Sequence, residues 1–143
     1  MPGVRPAGGG LVLKGWSMPF RVKRVYDPPS PEDGLRVLLD RLWPRGLSKG
    51  LSKEKVRVDW WAKELAPSDG LRRWFGHDPG KYPEFVRRYR EEQKENPALA
   101  RLKALGEEGT VTLLHGAKER RYNNAQALLA ILEERSLTGE GGV

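Results

Sequence analysis

The sequence predicts an α/β domain: a small mixed or parallel sheet flanked by helices, in one compact unit. Three observations predict it. Short runs of strand formers at 21–26 and 110–115 stand near opposite ends of the chain, and segments with helical spacing fill much of the interval. A length of 143 residues with 38% hydrophobic content suits a single core. Residues 20–136 form the domain. Residues 1–19 read as a flexible N-terminal extension, rich in glycine with little to bury, and 137–143 as a flexible tail. Met18 is an alternative start of the chain.

The elements follow in order. Arg21-Val-Lys-Arg-Val-Tyr26 alternates and is rich in strand formers, which predicts a strand. Asp27-Pro-Pro-Ser-Pro-Glu-Asp-Gly34 is a turn-rich connection. The next segment, Leu35 to Trp43, is ambiguous: Leu35, Leu38, Leu39 and Leu42 fit helical spacing, while Val37-Leu38-Leu39 also suits a buried strand. Spacing alone narrowly favours helix, and Pro44 and Gly46 stop either one. Val56-Arg-Val-Asp-Trp-Trp61 reads as extended. Pro67-Ser68-Asp69 caps a short helix with Leu71, Trp74 and Phe75 on one face. Pro83 to Lys94 is an amphipathic helix with Phe85 and Tyr89 inward, and Glu84–Arg88, Arg87–Glu91 and Arg88–Glu92 stand at i,i+4. Asn96-Pro97 starts another helix, bearing Leu99, Leu102 and Leu105 and ended by Gly106 or Gly109. Thr110-Val-Thr-Leu-Leu-His115 is a buried strand, expected to lie parallel to a neighbour. Tyr122-Asn-Asn-Ala125 caps the last helix, with Leu128, Leu129 and Leu132 inward.

Composition narrows the chemistry. With no cysteine there is no disulfide scaffold, cysteine-ligated zinc, iron–sulfur cluster or thiol nucleophile. The first twenty residues hold only the short apolar run Leu11-Val12-Leu13, and no stretch approaches a membrane span. A cytoplasmic protein without a membrane partner is expected. Arginine outnumbers lysine and thermolabile residue types are scarce, which points weakly to a thermophilic source. The net charge of +7 points to anionic partners. Most of that excess falls in residues 20–57, where Arg36, Arg41, Arg45, Lys49, Lys53, Lys55 and Arg57 lie within twenty-two residues. A run of this kind also suits a merely solvated face.

Gly76-His-Asp-Pro-Gly-Lys81 has the outline of a phosphate-binding loop, but its spacing is one residue short and Tyr82 stands where Ser or Thr is needed. Two histidines cannot build a histidine-rich metal site, so neither metal nor cofactor is expected. His77 reads more readily as a surface or helix-start residue than as a catalytic one. His115 ends a buried strand, where a functional and a structural histidine are equally plausible. Trp43 and Trp74 read as core anchors, while the pair Trp60–Trp61 would expose one ring if extended.

In open α/β sheets, ligands bind beyond the carboxyl ends of the strands. One such end supplies Asp40, Arg41 and Arg45. The other supplies His115, Gly116 and Lys118, followed by Arg120, Arg121 and the helix start at Asn123. Cations next to a helix N-terminus are suited to an anion.

Five segments carry a resemblance to a known family: Lys23-Arg-Val-Tyr-Asp-Pro28, Val37-Leu-Leu-Asp-Arg-Leu-Trp-Pro-Arg-Gly46, Trp61-Ala-Lys-Glu-Leu-Ala-Pro-Ser68, Leu71-Arg-Arg-Trp-Phe-Gly-His-Asp-Pro79 and Thr112-Leu-Leu-His-Gly-Ala-Lys118. With these the chain resembles the YeaO-like family, a branch of the superfamily catalogued as domain of unknown function 488, from about Phe20 to Glu134. The resemblance implies a single small α/β domain with a strand at Arg36–Arg41, against the spacing argument above. It implies no particular activity. The chain departs from the family pattern in three places. Gly50-Leu-Ser-Lys53 lengthens the basic loop. Asn123-Asn124-Ala125 stands where Asn-His-Ala is usual, and His115 stands where close relatives have Tyr and the broader superfamily Cys.

Two functions are therefore expected. In the first, the domain binds a phosphorylated or nucleotide-like anionic small molecule at the strand ends, with hydrolysis or transfer as a further possibility. Asp40 would act as general base or polarise a hydroxyl, with His115 as a second catalytic candidate. Arg41, Arg45 and Lys118 would hold the anion and Asn123 orient it. In the alternative, the domain binds nucleic acid: Lys49, Lys53, Lys55 and Arg57 would contact phosphates, and Trp60 or Trp61 would stack on bases.

Overall fold

The computed structural model describes residues 19–47 and 57–141. The expected N-terminal extension up to residue 18, and Lys49, Lys53 and Lys55, lie outside the described residues. Four strands, β1 (Phe20–Arg24), β2 (Leu35–Leu38), β3 (Trp60–Trp61) and β4 (Val111–His115), form one sheet in the order β1-β4-β2-β3. Every pairing is parallel: Phe20 faces Val111, Leu35 faces Val111 from the other side, and Val37 faces Trp60.

β2 settles the ambiguity at 35–43 in favour of the strand. Val37, Leu38 and Leu39 are all fully buried, whereas Leu35 is 38% and Leu42 74% exposed. A helix would have put the four leucines on one buried face. A strand flanked by partners on both sides buries consecutive residues instead, because both sheet faces are covered. The helices cover one face, where Phe20, Val37, Leu39, Val111 and Leu113 join the main core. On the opposite face Leu38 and Leu114 pack with Val25, Trp43 and Trp61. The connection between β1 and β2 also crosses that face. There the fully buried Arg36 donates to Asp33 at 2.6 Å, Lys23 reaches the same carboxylate at 3.0 Å, and Thr112 donates its hydroxyl to the Asp33 carbonyl at 2.8 Å.

Four helices follow the capping signals. In α1 (Asp69–Phe75) the Ser68 hydroxyl accepts the Leu71 N–H, and Glu92 of the next helix accepts the Ser68 N–H at 2.9 Å. α2 (Tyr82–Gln93) buries Phe85, Tyr89 and Gln93 at four-residue intervals. Of the three i,i+4 pairs expected on α2, Glu84–Arg88 forms at 2.8 Å. Arg87 also turns to Glu84, and Glu92 is engaged by the cap of α1. α3 (Pro97–Glu108) starts on Asn96 and ends at Gly109. Gly106 lies inside it, where the ring of Phe20 leaves no room for a Cβ. α4 (Asn124–Gly141) is capped by Asn123, whose amide oxygen accepts the Gln126 N–H at 2.9 Å. It continues past 136, so residues expected in a tail belong to a helix.

Candidate functional site

The parallel sheet brings the exits of β2 and β4 side by side, and Asp40 stands where they meet. Its Oδ2 accepts the Gly116 N–H at 2.9 Å, its Oδ1 faces the Asn124 amide at 3.4 Å, and its carbonyl accepts the Trp61 indole N–H at 2.8 Å. The end of β4 and the first residue of α4 thus hold the carboxylate, while β3 holds the backbone of the same residue. Burial pushes the Asp40 carboxyl above the usual carboxylate range, with the Gly116 N–H and the Asn124 amide pulling the other way.

Two hollows flank this residue, and Asp40 and Leu42 line both. One is a cavity of about 350 Å³ whose wall includes Arg41, Arg72, Phe75, His77, Phe85 and Asn124. Its floor is aromatic, with Phe75 and Phe85 stacked at 4.0 Å between centroids. The cations on its wall are already engaged: Arg41 donates to the Pro67 carbonyl at 3.3 Å and Arg72 pairs with Asp69 at 2.6 Å. The second hollow is a more open groove with Arg24, Tyr26, Arg45, Gly116 and Lys118 along it. Arg24 donates to the Ala117 carbonyl at 2.9 Å and lies 4.8 Å over the Tyr26 ring. Tyr26 in turn holds the Arg45 carbonyl at 2.8 Å. The side chains of Arg45 and Lys118 are exposed and make no ion pair among the described residues. Three cations thus stand against one carboxylate in the groove.

The site residues read from the sequence fall into distinct places. Asp40, Arg45 and Lys118 converge on the groove. Arg41 lies on the cavity side of Asp40, so the three expected anion-holding cations do not share one hollow. Asn123 is wholly buried, with its amide nitrogen on the Glu119 carbonyl at 2.7 Å, and lines neither hollow; its neighbour Asn124 does. His115 is likewise buried and lines neither. Its Nε2 lies 3.5 Å from the Asn123 amide and its Nδ1 has no hydrogen-bond partner among the described residues. Burial, assisted by Arg24 and Arg120, pushes its pKa down to about 4, so the ring is neutral at neutral pH.

The residues read for nucleic acid are spread out. Arg57 hydrogen-bonds the Gly34 carbonyl, at the end of β2 opposite Asp40, and its Nε lies 3.4 Å from Asp59. Trp60 packs against the main core with Arg101 4.6 Å over its ring. Trp61 packs edge-on to Trp43 at 5.2 Å and carries Lys63 at 4.5 Å.

His77, expected as a surface or helix-start residue, is exposed. His77 lines the cavity with a left-handed backbone, φ 57°, and its Nδ1 lies 2.8 Å from the Tyr122 carbonyl. The signal available was Gly76 just before it, a helix terminator that turns the chain across the strand ends.

Among the described residues no group of three or more His, Asp or Glu side chains is placed to hold a metal ion. No described helix is long and apolar enough to cross a membrane.

These features define a parallel α/β domain with a carboxylate between a basic groove and an apolar cavity at its strand ends. The chain belongs to the family described as the inactive DUF488-N3 subclade, whose model matches residues 19–141. It is similar to the uncharacterized protein Rv3073c of Mycobacterium tuberculosis, at 40% identity over 115 residues, 80% of this chain and 94% of that protein. It is also similar to the uncharacterized protein YeaO of Escherichia coli, at 38% identity over 112 residues, 78% of this chain and 94% of that protein. The resemblance drawn from the five motifs is thereby shown. No solved structure matches the chain.

Proposed function

We propose that this domain binds a phosphorylated or nucleotide-like small molecule at the carboxyl ends of its strands, and holds it without turning it over. The observation that carries the reading is the convergence of Lys118, Arg45 and Arg24 on one groove beside the Asp40 carboxylate. Exposed cations bind a phosphate through charge-assisted hydrogen bonds, and the aligned exits of a parallel sheet are where such ligands sit. Asp40 accepts a hydroxyl of the ligand rather than the phosphate, since a carboxylate repels it.

Binding without turnover is supported by what lines the site. Neither hollow has a serine or threonine among its described lining residues, and the chain has no cysteine. Of the two catalytic candidates, His115 is buried away from both hollows, and the Asp40 carboxylate is held by the Gly116 N–H and the Asn124 amide. The description of the family as an inactive subclade agrees with this.

Isothermal titration with ribose 5-phosphate and with nucleoside 5′-monophosphates tests the reading. Lys118→Ala and Arg45→Ala should each weaken binding by about tenfold, and raised salt should weaken it further. Phosphorus NMR of the mixture should show no new species. Equal affinity in the wild type and both variants, or no binding to any of these probes, would overturn it.

A further inference from the structure

We propose that the cavity beside Asp40 is a recognition pocket for a flat, hydrogen-bond-donating ring, with His77 and Asp40 as its paired acceptors. This deepens the anion-binding reading and concerns the other half of the same ligand.

The tautomer of His77 follows from its partner. The Tyr122 carbonyl can only accept, so the nitrogen 2.8 Å from it, Nδ1, carries the proton. In the neutral ring Nε2 is then the acceptor. The same residue keeps a left-handed backbone, φ 57°, which histidine adopts more readily than most side chains and which its surroundings hold in place. What holds it here is the Tyr122 contact together with the Phe75 ring, 5.4 Å from the imidazole.

Asp40 supplies the second acceptor. Each of its oxygens takes one described hydrogen bond, which leaves lone pairs on a carboxylate that lines the cavity. Arg41 and Arg72 on the wall donate to Pro67 and Asp69, and His77 and Asp40 add acceptors beside their remaining guanidinium N–H groups. Below lie the stacked rings of Phe75 and Phe85. An apolar aromatic floor with acceptors at the rim fits a planar heterocycle with N–H groups along one edge, and the volume of about 350 Å³ admits one. Asp40 and Leu42 line both hollows, so a ring in the cavity lies next to the groove that would take the phosphate.

The two halves are separated by titrating the full chain with guanosine, 1-methylguanosine, guanosine 5′-monophosphate and ribose 5-phosphate. Guanosine carries the ring without the phosphate, and its 1-methyl derivative loses one donor but keeps the flat surface. Ribose 5-phosphate carries only the anionic half. His77→Gly removes the imidazole while suiting the left-handed backbone. His77→Asn, which also tolerates it, serves should the glycine variant not fold. We expect guanosine to bind and 1-methylguanosine to bind about tenfold more weakly. His77→Gly should weaken guanosine and its monophosphate by about tenfold and leave ribose 5-phosphate unchanged. Lys118→Ala should do the reverse, weakening both phosphates and sparing guanosine. Failure of guanosine to bind, or insensitivity of its binding to both His77 variants, overturns the ring pocket even if ribose 5-phosphate binds. Failure of ribose 5-phosphate while guanosine binds leaves the pocket standing and removes the anion groove.

Discussion

Asp40 Oδ2 accepts the Gly116 N–H at 2.9 Å, and a Cβ built on Gly116 would lie 2.9 Å from that same oxygen. The carboxylate is therefore seated against bare backbone, and the seat requires glycine. Gly116→Ala forces the carboxylate or the loop to move, with an expected loss of about 1–3 kcal/mol in urea denaturation. In an Asp40→Ala background the same substitution should cost less. Equal losses in the two backgrounds would show that the two residues are not in steric contact.

Burial raises the pKa of Asp40, so the folded state binds this proton more tightly than the unfolded chain. Its favourable contribution is present at acid pH and is lost as pH rises from the ordinary 3.8 through the folded value. At neutral pH the ionised group is a burden on the fold. Asp40→Asn should then unfold at the same or a higher urea concentration than the wild type while binding ligand more weakly, as when a site residue is kept for function. A clear fall in the urea midpoint would make Asp40 a structural residue instead.

His115 works in the opposite sense. Its folded pKa of about 4 lies below the ordinary 6.5, so protonation favours the unfolded chain. The stability it contributes is complete above pH 6.5 and is lost as pH falls to about 4, about 3 kcal/mol across the window. The stability difference between the wild type and His115→Gln, followed by urea denaturation from pH 4 to 7, should narrow by that order toward the acid end. Parallel curves would contradict it.

The buried carboxylate of Asp33 resists protonation. Burial pushes its pKa up, but the hydrogen bonds from Lys23, Arg36 and the Ser30 N–H outweigh it and hold the group below its ordinary value. Its contribution is present above pH 3.8 and lost as pH falls through the folded value. Asp33→Ala leaves the fully buried Arg36 without this partner, and about 3–5 kcal/mol of stability should go with it at neutral pH. Thermal unfolding that barely changes would refute this.

The helices were legible because their signals are local. Ser68, Pro83, Asn96 and the Asn123–Asn124 pair mark starts that the structure keeps to within a residue. β2 was not decided by spacing, since a strand covered on both faces has no alternation to read; the family resemblance favoured a strand at Arg36–Arg41, and it runs from Leu35 to Leu38. Gly106 looked like a terminator because its real role, giving space to Phe20 across the core, is a tertiary fact. The rule for strand ends pointed to Asp40, Arg45 and Lys118, which line one groove. It could not tell which of two adjacent asparagines caps α4 and which faces the cavity. Nor could it find His77, which arrives from a loop that only folding brings to Asp40.

The proposed phosphate site lies among Lys118, Arg45 and Arg24 in the groove, with Asp40 at its edge. Amide chemical-shift mapping of the full chain with ribose 5-phosphate tests it most directly. Saturable shifts centred on Arg45, Gly116 and Lys118 are expected, with their loss in Lys118→Ala. Shifts confined to α3 or to the Asp33 cluster, or no shifts at millimolar ligand, would contradict it.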